Sequence, residues 1–98
     1  MTPAKIRIQD PVLQINPEAV ASFHDDGVVI LDSSKGCLYS SGPAGAYIWR
    51  GIEQRLSLEA IAEGLHADFQ VELTTARNHT VRFTEQLRGN GLIERRAA

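Results

Sequence analysis

Three short apolar runs, each closed by turn residues, are followed by three longer stretches with helical spacing. The runs are AVASFH (19–24), VVILD (28–32) and CLYSS (37–41). Val28, Val29, Ile30 and Leu31 are β-branched or apolar and lie between Asp26-Gly27 and Ser33-Ser34-Lys35-Gly36, which predicts a well-buried central strand between two turns. Asp26-Gly27 is expected to be the hairpin turn pair, since both residues tolerate positive φ. A strand apolar on both faces suggests helices on one side and other chain on the opposite side. CLYSS is short, mixed and small, which suits a strand with a neighbour on one side only. Pro43 supplies no amide donor to a sheet and pre-sets φ for a helix, so the chain must leave the sheet there. The expectation is an antiparallel meander whose last strand has a free edge.

The helical stretches follow. Ala44, Ile48 and Ile52, with Gly45 and Trp49 beside them, form an apolar stripe from Pro43 to about Glu53. Trp49 reads most simply as the largest core residue, and Gly45 as a close approach of helix to strand. Ser57 is a natural N-cap for a second helix ending near Asp68, with Glu59 where the helix dipole favours an acid. Leu58, Ile61, Ala62, Leu65 and Phe69 give it one apolar face. Thr74 is expected to cap a third helix reaching about Arg88, with Ala76, Thr80, Phe83 and Leu87 as its core stripe. Val81 lies off that stripe, in line with Arg77, Thr84 and Arg88. It is either an ordinary exposed valine or the floor of a groove beside the sheet edge. Gly89 and Gly91 stop the helix, and Leu92-Ile93 return to the core. The expected division is an extended lead-in over 1–18, one domain over 19–94 and a tail over 95–98. Ile6 and Ile8 alternate with charge, but Pro3, Pro11 and Pro17 forbid a long element in the lead-in.

Composition narrows the function classes. Ninety-eight residues with 43% hydrophobic content are enough for one small domain with a real core. The single cysteine, Cys37, excludes an intramolecular disulfide and multi-cysteine metal patterns. No apolar run is long enough for a membrane span and no secretory signal is legible, so the expectation is a cytoplasmic protein. Net charge is −2, unevenly spread: residues 70–98 hold five arginines against three glutamates, which read first as solvated helix faces and alternatively as a patch favouring an acidic partner. His24, His66 and His79 lie at no metal-ligand spacing. GPAGAYIW (42–49) lacks the Lys-Ser/Thr pair of a phosphate loop. Asp25-Asp26 belongs to a turn and Cys37 has no base near it in sequence. The expectation is a non-enzyme without cofactor or metal.

The run GVVILDSSKGCLYSSGPAGAYIW (27–49) resembles the PqqD-like family, the small recognition elements for ribosomally made and modified peptides. Gly27 to Asp32 match its first motif strand, Lys35 to Ser41 its second, and Gly42 to Trp49 its helix opening. The likeness continues through SLEAIAEGLHADFQV (57–71) and QLRGNGLIE (86–94). The chain departs from the common pattern at Ser40 and Ser41, where Leu and Asn are frequent. It also departs at His79, where an acid is common, and at Thr80 and Thr84, where aliphatics are.

The resemblance implies an α+β, winged-helix-like fold, a three-stranded antiparallel sheet followed by three helices. It implies an adaptor that binds the leader segment of a precursor peptide as an added strand and delivers it to a separate modifying enzyme. That enzyme would be a leader peptidase acting with a cyclase, or a radical-SAM enzyme. Lasso-peptide maturation is the favoured pathway, with no nucleic-acid or membrane partner. The implied peptide-binding residues are Cys37, Leu38, Tyr39, Ser40 and Ser41 on the edge, with Arg77, Val81, Thr84 and Arg88 opposite. Tyr39 is left between a core and a groove role. Two alternatives remain: a winged-helix DNA-binding regulator using Arg77, Arg82 and Arg88, and a dimerisation module pairing through the same edge.

Overall fold

The structure, a computed structural model, describes residues 12–96. In chain order the elements are β1 (Val12–Ile15), β2 (Ala19–His24), β3 (Gly27–Asp32), β4 (Cys37–Ser41), α1 (Pro43–Glu53), α2 (Leu58–Phe69), α3 (Leu73–Gly89) and β5 (Ile93–Arg96). The antiparallel sheet β2-β3-β4 and the three helices lie where the hydrophobic pattern put them. A second, two-stranded sheet joins β1 to β5, pairing Ile15 with Ile93. The sequence marked 12–15 only as extended and 92–93 only as a return to the core. Pairing these two ends is a tertiary event, tied down by Asn16, whose N–H donates to Leu92 O and whose side-chain amide donates to Gly91 O. Ile6 and Ile8 lie outside the described residues.

The sheet buries one face. Val28, Ile30 and Asp32 of β3 point inward, and the register places Ser41, Tyr39 and Cys37 of β4 beside them on the same face. On the other face Val20, Leu31 and Leu38 stand abreast and exposed. No described element covers that side, so the chain expected there is absent among the described residues. The β2–β3 turn also differs from expectation. Its central residues are Asp25 and Asp26, neither with positive φ, and Gly27 is instead the first residue of β3, at φ 147°.

The helices close over the inner face. Ile48, Trp49, Ile52, Ile61, Leu65, Ala76 and Leu87 meet Val28 and Ile30 in one core. Trp49 is sealed in it, and its indole N–H donates to Glu53 Oε2 at 2.9 Å. The Ser57 hydroxyl caps α2 by accepting from Ala60 N–H. Gln70, left-handed at φ 56°, turns the chain directly into α3, whose N-cap is Glu72. Thr74 is therefore already inside the helix. Arg55 also sits in the left-handed region, at φ 62°, where it ends α1 and lets Leu56 N–H reach Gly51 O.

Candidate functional site

The arrangement of β4 follows from its hairpins. In antiparallel pairing, residues alternate between bonded and non-bonded pairs, and a two-residue turn closes on a bonded pair. His24 and Gly27 form that pair, so Gly27, Val29 and Leu31 bond towards β2, and Ser33 N–H continues the series to Glu18 O. Val28, Ile30 and Asp32 then bond towards β4, to Ser41, Tyr39 and Cys37. The amides and carbonyls of Leu38 and Ser40 are left pointing away from the sheet. No described strand pairs with them, because the N-terminal strand β1 is engaged with β5 instead.

Helix α3 forms the wall beside this edge. The Tyr39 hydroxyl donates to Gln86 Oε1 at 2.8 Å, and the Tyr39 ring packs against Phe83 at 6.1 Å between centroids. Tyr39 thus leans on the core through Phe83 and bridges strand to helix through Gln86. One cleft lies on each side of this bridge. The first, of about 200 Å³, lies next to Ser41, with Ala44, Ile48 and Phe83 as apolar lining and His79 and Arg82 at its rim. Gly45 lets α1 approach so closely that a Cβ there would collide with the Ser41 side chain. The second, of about 220 Å³, lies next to Cys37 and is bordered by Asp32, Lys35, Asn90 and Leu92. Asp32 is buried. Its Oδ1 accepts from both the Ser34 N–H and the Ser34 hydroxyl, while its Oδ2 has no hydrogen-bond partner. The Ser34 hydroxyl, chiefly, holds the carboxyl below its ordinary 3.8.

The nine residues expected at the site divide between two places. Cys37, Leu38, Tyr39, Ser40 and Ser41 make up β4 and lie together on the vacant edge. Arg77, Val81, Thr84 and Arg88 lie on the opposite flank of α3, facing away from β4. Arg77 is ion-paired to Glu59 of α2 at 2.7 Å and Arg88 to Glu85 at 2.7 Å. Val81 and Thr84 border a different cleft, with Leu13, Leu58 and Ile93. Thr84 is buried, and its hydroxyl donates back to Thr80 O and Val81 O within the helix. The α3 residues that do face β4 are His79, Arg82, Phe83 and Gln86, of which the sequence had assigned only Phe83 inward, as core. Both flanks lie about a quarter turn from the core stripe at roughly 100° per residue, so periodicity alone cannot choose between them. Two of the three arginines expected to face DNA are engaged by carboxylates. No cluster of His, Cys, Asp or Glu suited to a metal occurs among the described residues. No helix there is long and apolar enough to cross a membrane.

Comparison with known proteins gives one family and two structures. The family model described as coenzyme PQQ synthesis protein D (PqqD) matches residues 27–93. One similar structure is described as TbiB1 in complex with the TbiA(beta) leader peptide. It shares 26% identity at a TM-score of 0.76, over 83% of this chain and 94% of that one. Another is described as lasso peptide synthetase B1 complexed with the leader peptide. It shares 24% identity at a TM-score of 0.77, over 85% of this chain and 98% of that one, and the likeness is one of fold. No curated protein matches the chain in sequence.

Proposed function

The chain belongs to the PqqD family, and from that membership and the vacant β4 edge we propose that it is a non-catalytic adaptor for a ribosomally made precursor peptide. The leader segment of the precursor adds as a strand beside β4 and lies in the groove against α3. The open donors and acceptors of Leu38 and Ser40 are the observation that carries this reading. Main-chain bonds along such an edge give affinity, and the clefts beside Ser41 and Cys37 give register. The similar structure described as a complex with a leader peptide supports a leader segment as the ligand. The pathway in this proposal is lasso-peptide maturation, with a separate leader peptidase receiving the bound precursor.

Amide hydrogen exchange tests the mode directly, using the leader segment of a precursor encoded beside this chain's gene. The peptide is expected to slow exchange at Leu38 and Ser40, whose N–H groups are open in the free protein. Cys37, Tyr39 and Ser41, already bonded to β3, change little. Saturable binding with no slowing at Leu38 and Ser40 refutes strand addition.

A further inference from the structure

The cations around the groove are not equivalent. Arg77 and Arg88, on the far flank of α3, have carboxylate partners. Arg82, on the groove flank, is exposed and has no carboxylate partner among the described residues. It shares the rim of the cleft next to Ser41 with His79, and no acid lines that cleft. The cleft at the other end is bordered by one cation, Lys35, and one buried carboxylate, Asp32, so its charges balance. One end of the groove is therefore positive over an apolar floor, and the other is polar and close to neutral.

Strand geometry converts this into a sequence preference. An added strand places every second side chain on the same face as Ser41, Tyr39 and Cys37. The residue opposite Ser41 enters the positive cleft, the one two positions on covers the Tyr39–Gln86 bridge, and the one four positions on enters the Lys35–Asp32 cleft. We propose that the groove selects an acidic side chain opposite Ser41 and, four residues away, an uncharged one. Arg82 and His79 take the carboxylate, while Ala44, Ile48 and Phe83 take the methylenes beneath it. This rests on strand addition at β4 and names the class of peptide that addition favours.

The test is selection of a displayed library of random twelve-residue peptides on the immobilised full chain, followed by synthesis of an enriched peptide. Enriched sequences are expected to carry Asp or Glu at one fixed position. Arg82→Glu weakens the synthesised peptide on the order of tenfold, since an exposed pair contributes a few-fold and its reversal repels comparably. Replacing that peptide acid by Lys restores binding to Arg82→Glu. Arg82→Gln, which adds no repulsion, gives a smaller loss that shrinks further with added salt. Enriched peptides that slow exchange at Leu38 and Ser40 without a fixed acid overturn this inference and leave the adaptor reading standing. An acid preference unchanged in Arg82→Glu does the same. If no peptide is enriched and the two amides never slow, both fall together.

Discussion

Ser40→Pro separates the outer edge of β4 from its inner one. Across 37–41 an added strand meets two outward donors and two outward acceptors, those of Leu38 and Ser40. Four such bonds, at about 0.5–1.5 kcal/mol net each, supply roughly 2–6 kcal/mol before side chains contribute. Proline at 40 deletes one donor and leaves a peptide carbonyl facing a ring, a loss of about 1–3 kcal/mol, or roughly five- to 150-fold in Kd. The fold should tolerate the change. Ser40 is exposed, its N–H takes no part in the β3–β4 ladder, and edge strands accept proline with the donor side outward. Tyr39, as the residue before proline, is already extended, the conformation that position requires. Tyr39→Pro, by contrast, removes the N–H that bonds to Ile30 and should unfold the hairpin. Fluorescence anisotropy with a labelled leader gives Kd, and circular dichroism gives the melting temperature. Ser40→Ala, which keeps the N–H, is the control and should bind like the parent. A folded Ser40→Pro protein that binds within twofold of the parent would refute edge addition.

Three further outcomes are expected. Arg55→Gly should stabilise the fold by up to about 1 kcal/mol in urea unfolding, because the left-handed φ of 62° disfavours a side chain and suits glycine. Arg77→Ala and Arg88→Ala should each leave leader affinity within about twofold by anisotropy, since both face away from β4 and exposed pairs contribute little. The Asp32 carboxyl titrates below 3.8 when folded, so its contribution is complete above that value and disappears as pH falls through the lower folded one. Ser34→Ala removes the main cause, and should reduce the difference between urea midpoints at pH 7 and pH 3.

The sheet and helices were legible because each carries a local signal: the apolar run 28–31, Pro43 as a stop, Ser57 as a cap, and stripes at helical spacing. The β1–β5 pair was not, because four-residue strands bracketed by Pro11 and Pro17 at one end and charge at the other pair only through contacts some 75 residues apart. That β4 is an edge strand could be read from CLYSS and Pro43. Arg77, Val81, Thr84 and Arg88 lie on the flank away from β4, and the sequence does not show this, since they and the set His79, Arg82 and Gln86 border the core stripe equally. Which set meets β4 depends on how α3 crosses the sheet, and no single helix encodes that. Thr80 falls on the core stripe and Thr84 beside it, and both are buried despite their hydroxyls. Their hydroxyls return to helix carbonyls, which lets both be buried.

Trp49, the single tryptophan of the chain, gives the molecule a built-in optical gauge. Its indole is shut inside the protein and held by Glu53, with no part in the lining of either cleft. Its emission should shift when the chain unfolds and stay unchanged when a ligand docks, so a variant that has merely lost its ligand can be told by colour from one that has lost its shape.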